Sequence, residues 1–160
     1  MMNTIPRIGQ LYSLQVVKHL VILIAMLLAT IVHGQNSPLT IISNPKGCPT
    51  EMKESELKSI FLGERQRWRT GDKIQVALMK TNTSIGKNTC GRMYNMTEDE
   101  LKKYWLALVF QGKAEAPAFF NTVGELQNFV SENPGAIGII DQSPTVSGIQ
   151  VVSIDGKQTL

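Results

Sequence analysis

The stretch KTNTSIGKNTC, Lys80 to Cys90, sets a Gly-Lys pair among hydroxyl and amide side chains, between an apolar run that reads as a strand and a segment that reads as helix. Such a composition suits phosphate. A nucleotide-binding P-loop needs G-x-x-x-x-G-K-[ST], whose glycines let the backbone wrap the phosphates and whose last hydroxyl holds magnesium. Counting back from Gly86 puts Thr81 where the first glycine belongs, and Asn88 follows Lys87 where Ser or Thr belongs, so that reading is excluded. A simpler chemistry remains. If a helix starts near Ser84, its unpaired amides and the hydroxyls of Thr81, Thr83 and Ser84 converge at a positive helix terminus, which attracts an anion. The same residue types also serve plain capping, in which Thr83 or Ser84 closes its own helix.

Other reactive side chains are few. Both histidines, His19 and His33, precede residue 35, so the rest of the chain lacks the usual general base of a nucleophilic triad. Cys48 and Cys90 cannot form a structural zinc site without histidine partners. In an oxidising compartment they would form a disulfide, closing a loop worth roughly 4 kcal/mol; otherwise they are two buried thiols. Lys46 and Asp141 each follow an apolar strand, where open α/β sheets place ligands, and each could equally be a solvated loop charge. The run RQRWR, Arg65 to Arg69, could stack on a ligand, or Trp68 could cover a core edge while the arginines stay in water. Asn82-Thr83-Ser84 and Asn95-Met96-Thr97 match the glycosylation pattern.

The elements that must position these residues begin after an N-terminal segment of another kind. Arg7, Lys18 and His19 precede the charge-free run LVILIAMLLATIV, Leu20 to Val32, and small residues follow. The run is short of the roughly 20 apolar residues of a membrane span, and the pattern predicts a signal peptide over residues 1–34, with an uncleaved anchor as the alternative. Residues 35–160 are then one small exported domain, periplasmic or secreted. Of the chain's 16 basic side chains Arg7 and Lys18 lie before it, leaving 14 basic against 13 acidic and a net charge of +1. With no basic stripe, nucleic acid is not an expected partner.

Within that domain LTII (39–42) and IQVALM (74–79) read as strands, AIGII (136–140) as a central buried strand, and IQVVSI (149–154) as a last, edge-like one. Leu57, Ile60 and Phe61 take helical spacing before a stop at Gly63. Thr97 with Glu100, and Thr122 with Glu125, are capping boxes; the helices they open carry stripes of Leu101, Tyr104, Trp105 and Leu108, and of Leu126, Phe129 and Val130. Strands alternating with amphipathic helices predict an α/β sandwich.

Three ordered segments then resemble one family. SELKSIFLGERQRWRTGDKIQVAL, YWLALVFQG and NPGAIGIID are similar, in order and spacing over roughly residues 39–141, to signatures of phosphate ABC transporter substrate-binding proteins. The resemblance implies a type 2 periplasmic-binding-protein-like fold, here a single-lobe α/β sandwich with a short mixed sheet. It implies a non-catalytic binding protein without a cofactor, holding phosphate or a similar oxyanion and meeting an ABC permease or another envelope protein. By that likeness the ligand residues are Thr81, Thr83 and Ser84, with Lys80 or Arg92 as the positive partner and Asp141 as the acidic one. The family's Ser-Gly-Thr loop and its arginine are absent, Ile139 stands where a tyrosine is usual, and Lys53 stands where a helix-capping Ser or Thr is usual. One lobe offers half a cleft, so a homodimer could complete it; an interaction module that keeps the fold without the anion is the alternative function.

Overall fold

A computed structural model describes residues 16–19 and 37–160. The chain divides into two units, Met1–Gln35 and Asn36–Leu160. Of the first, residues 16–19 are described as helical and exposed, so the expected leader and its anchor alternative lie outside the described residues. Among the described residues no helix is long and apolar enough to cross a membrane.

The second unit carries seven strands: β1 (Thr40–Ser43), β2 (Glu51–Met52), β3 (Gln75–Met79), β4 (Ala118–Phe120), β5 (Ala136–Ile140), β6 (Gln150–Val151) and β7 (Ser153–Ile154). Its helices are α1 (Glu54–Phe61), α2 (Ser84–Thr89), α3 (Glu98–Phe110) and α4 (Val123–Glu132), and a π-helical turn (Cys90–Tyr94) follows α2 directly. Five strands form a mixed sheet in the order β4-β3-β5-β1-β6; β2 and β7 pair separately. β3 runs parallel to β4 and β5, whereas β1 is antiparallel to β5 and to β6. AIGII is thus the middle strand, and all five of its residues are buried, as expected of an apolar run covered on both faces.

Helix boundaries follow their local chemistry. Both capping boxes form: Thr97 accepts the Glu100 N–H and Thr122 that of Glu125, while each glutamate reaches back to the cap backbone. α1 and α3 end in paired back-bonds around a left-handed glycine. Gly63 (φ 72°) donates to Ile60 O while Glu64 donates to Ser59 O; Gly112 (φ 64°) donates to Val109 O while Lys113 donates to Leu108 O. Leu57, Ile60 and Phe61 of α1, Leu101 and Trp105 of α3, and Leu126 and Val130 of α4 are buried; Tyr104, Leu108 and Phe129 are half-buried against them. Every buried apolar side chain among the described residues falls within 39–154, so the unit has a core of its own.

Three expectations change. Residues 149–154 are two strands, because the chain crosses from one sheet to the other at fully buried Val152, whose N–H bonds to Ile41 O. β2 and β4 are additional strands, each held by one neighbour, β7 and β3 respectively. Cys48 and Cys90 are free buried thiols in place of the expected disulfide. Cys48 Sγ donates to Ala136 O (3.5 Å) at the start of β5, while Cys90 opens the π-helical turn.

Candidate functional site

The parallel strands β3, β4 and β5 end on one edge of the sheet. Met79 pairs with Phe120 and Ala77 with Gly138; continued by register, this brings Lys80, Asn121 and Asp141 to corresponding positions just past the three carboxyl ends. Adjacent strands stand about 4.8 Å apart, so the three are neighbours. Lys80 N donates to Phe120 O (2.9 Å), which holds the start of the loop to β4.

From there the chain makes a tight turn into α2, fastened by Thr83. The Thr83 hydroxyl donates to Lys80 O (2.8 Å) and accepts the Gly86 N–H (3.0 Å), and Thr83 N also donates to Lys80 O (3.0 Å). Lys87 N takes Thr83 O. The first amides of a helix have no intrahelical acceptor; with those of Gly86 and Lys87 satisfied, the amides of Ser84 and Ile85 remain for an outside acceptor. The turn is closed so tightly that a Cβ on Gly86 would stand 2.0 Å from Lys80 O, which explains the glycine in the Gly-Lys pair. Lys80, Asn82 and Ser84 are exposed, Thr83 is half-exposed and Thr81 is buried.

The capping role foreseen for Thr83 is therefore present, and Thr83 serves it with both its proton and a lone pair. The chemistry left at this edge includes two backbone amides, the Ser84 hydroxyl, the Lys80 ammonium and the Asp141 carboxylate, with the side-chain amides of Asn82 and Asn121 nearby. These are donors and a cation suited to an oxyanion, with one carboxylate acceptor beside them. Arg92 is already engaged: its guanidinium donates to Ser37 O (3.2 Å) beside Asn88 Nδ2 (3.0 Å), fastening the segment before β1, whose amino end lies at this same edge.

Lys46 lies apart from this group because β1 is antiparallel to β5, so its carboxyl end is at the opposite edge; there Lys46 O accepts Gly135 N. Trp68 is buried and donates Nε1–H to Gly135 O (2.9 Å), covering a core edge. Around it Arg65 pairs with Glu56 and Arg67 donates to Gly71 O (2.9 Å), while Arg69 is exposed. Several cavities are lined by residues other than those of the Lys80 turn. One of about 110 Å³ is bordered by Ile60, Trp105 and Phe129, and one of about 320 Å³ by Cys48, Trp68 and Arg69; neither is lined by Lys80, Ser84 or Asp141. At the oxyanion-suited edge Lys80 and Ser84 are exposed and Asp141 is half-buried.

Neither thiol is poised for nucleophilic chemistry. Burial pushes the Cys48 thiol up to about 12, against weaker help from Ser43 and the Asn44 backbone. Burial likewise raises Cys90, with the Glu98 carboxylate adding to it. A thiolate is the reactive form, and both sites oppose it.

Residues that sequence reasoning did not single out hold this frame from a distance. Asn44 is buried and donates to Val130 O (3.0 Å) and Ser131 O (2.9 Å), closing the end of α4. Buried Gln127 accepts the N–H groups of Thr145 (2.7 Å) and Val146 (3.1 Å), fixing the loop that follows Asp141. Their partners lie 18 to 87 residues away, beyond any local pattern.

No family model and no curated relative matches the sequence. Solved structures share its fold. An ABC-type phosphate transport receptor from Vibrio cholerae superposes with a TM-score of 0.59 at 13% identity, over 77% of this chain and 48% of its own. PstS from Borrelia burgdorferi gives 0.54 at 17% identity, over 75% and 48%. A protein assigned as a phosphate ABC transporter substrate-binding protein, from Clostridium perfringens and with bound phosphate, gives 0.54 at 16%, over 75% and 46%. The chain spans about half the length of the structures it matches. The expected fold class, a mixed α/β sandwich like that of periplasmic binding proteins, is the one found.

Proposed function

We propose that residues 35–160 form a non-catalytic solute-binding module, acting outside the cytoplasm, that holds phosphate or a closely similar oxyanion at the carboxyl edge of β3, β4 and β5. The observation that carries this reading is the gathering of the Lys80–Ser84 turn and Asp141 on that edge, in a fold shared with phosphate receptors. The amides of Ser84 and Ile85, the Ser84 hydroxyl and Lys80 would donate to the anion. Asp141 would accept the proton of a monohydrogen phosphate, a bond that fully ionised sulfate cannot return. Thr83 shapes the turn rather than supplying a free donor, and Thr81 is buried beside it. Charge-assisted hydrogen bonds weaken in water, and Lys80 and Ser84 are exposed, so affinity is modest unless a second surface covers this edge. A membrane permease or a second copy of the chain are the surfaces proposed for that role.

Calorimetric titration of residues 35–160 with inorganic phosphate, with sulfate alongside and at low ionic strength, tests the reading. A saturable phosphate signal, weakened about ten-fold or more by Lys80→Ala and by Ser84→Ala, is expected, since each lost charge-assisted bond is worth about 1.5–3 kcal/mol. A flat trace from folded protein overturns it. The second reading, an interaction module that has lost the anion, is favoured by one observation: Lys80 and Ser84 stand exposed and line none of the cavities described above. It would show as the flat trace together with capture of a defined envelope protein.

A further inference from the structure

Helix α3 buries one face and leaves another bare. Leu106, Val109 and Phe110, at positions i, i+3 and i+4, are 57%, 42% and 82% exposed, so three large apolar side chains form one ridge on the outer side of the last two turns. Phe110 is the most exposed apolar side chain among the described residues.

The charges around the ridge are unequal in sign. Lys102 and Lys103 lie one turn before Leu106 on the same face, and Lys113 follows the helix end. Lys103 and Lys113 form no ion pair among the described residues. The nearby carboxylates are engaged: Glu98 faces Lys87 (3.7 Å), Asp99 faces Lys102 (3.5 Å), Glu100 closes the capping box, and Glu115 pairs with Lys73. Lys103 lies close enough to Glu100 to favour its charged form, but with no ion pair formed. An apolar ridge flanked by exposed ammonium groups is complementary to a surface that is apolar beneath and anionic above.

Size separates the two kinds of surface that fit this description. Three side chains offer on the order of 300 Å² of apolar area, well below the roughly 800 Å² per partner of a stable protein interface. A bilayer needs no matching pocket and takes up a convex ridge of Leu, Val and Phe at its acyl boundary while lysines stay at the headgroups. We infer that the outer face of α3 is a docking surface for an anionic lipid bilayer. The last turn of α3 lies toward the amino ends of β3 and β4, where Lys113 O accepts Gln66 Nε2 and Glu115 meets Lys73. Docking there leaves the Lys80 edge at the opposite ends of the strands open, and does not depend on its ligand.

The test is co-sedimentation of residues 36–160, whose core is self-contained, with phosphatidylcholine vesicles with and without phosphatidylglycerol. Binding to the anionic vesicles that falls as salt is added is expected, with a loss of roughly five-fold for each of Lys103→Glu and Lys113→Glu. Phe110→Ser should abolish it at an unchanged melting temperature, because the side chain is exposed. Phe110→Trp should bind as the parent does and shift its emission to the blue on the anionic vesicles only. Folded protein that leaves both vesicles in the supernatant overturns the inference, as does binding that Phe110→Ser does not change. Self-association reversed by Phe110→Ser, without vesicle binding, would overturn it in favour of a second copy.

Discussion

The carboxylate of Asp155 accepts the backbone N–H of Glu54 at 3.2 Å, capping α1 across 101 residues of sequence. Lys53 occupies the local cap position and makes no capping bond. Asp155 itself sits in the left-handed region (φ 47°), at the turn that follows β7. A remote acid thus does what a Ser or Thr at position 53 would do locally, and it ties the second sheet to the first helix.

Asp155→Gly should therefore lower stability by about 1 kcal/mol, the usual worth of an N-cap. Glycine suits the positive φ, so the loss reports the carboxylate and not backbone strain. Adding Lys53→Ser to that variant should restore most of the loss, because the local hydroxyl can then take the Glu54 or Glu56 region's orphan amides. Urea unfolding of the four proteins of this cycle measures both effects; equal losses with and without the serine would show that the two caps are not interchangeable.

Two glycines with nearly the same backbone separate conformational strain from close approach. Gly71 (φ 93°) and Gly135 (φ 81°) are both left-handed, but a Cβ at 71 meets nothing within 4 Å while one at 135 stands 2.3 Å from Lys73 O. Gly135 O also accepts from Trp68 Nε1 and Gln75 N. Gly71→Ala should cost about 1–2 kcal/mol, the left-handed penalty alone. Gly135→Ala should cost several kcal/mol more and fail to give a cooperative melt, because the backbone carbonyl cannot step aside without breaking β3 from its neighbours.

The parts of this molecule that were legible in sequence are those decided within about four residues. The Thr97–Glu100 and Thr122–Glu125 boxes form because donor and acceptor are three apart in any helix. Gly63 and Gly112 end their helices because each needs only its own positive φ. AIGII is central because an apolar run without alternation must be covered twice. What escaped depends on direction or distance. Ligand positions at strand ends were foreseen for Lys46 and Asp141 alike, but periodicity does not say that β1 runs opposite to β5, and that direction alone places Lys46 on the other edge. AFF (118–120) is too short to announce itself and becomes β4 only because β3 offers a parallel edge. The acceptor that Arg92 takes, Ser37 O, lies 55 residues earlier, beyond the reach of any local pattern.

The α3 cap carries a pH dependence. The Glu100 carboxylate accepts the Thr97 N–H (2.8 Å) and the Thr97 hydroxyl (2.9 Å), and these bonds, the backbone one first, hold its folded-state pKa below the usual range of a glutamate. A depressed folded value means that its contribution is complete above the unfolded pKa and is lost as pH falls through the folded one. The stability difference between the parent and Glu100→Gln should be constant from pH 7 to about 5 and close below about 4. Melting temperatures of the pair across that range decide it; a gap that survives at pH 2.5 would mean that the carboxylate's charge is not what the cap uses.

The state of the two cysteines gives the last prediction. Both thiols are free and buried, and burial holds Cys48 at about 12. At pH 8 that leaves about one Cys48 in ten thousand as the thiolate that attacks a disulfide reagent. Native protein should therefore react with an aromatic disulfide reagent over hours, since burial raises both thiols. In denaturant without reductant both thiols should appear within seconds. Cys48→Ser should cost roughly 1–3 kcal/mol, since the hydroxyl keeps the bond to Ala136 O but is less suited to an apolar site than sulfur. Absence of any thiol in the denatured, unreduced protein would mean that the chain links Cys48 to Cys90 after all, which would require the segment after β1 and the start of the π-helical turn to be repacked against each other.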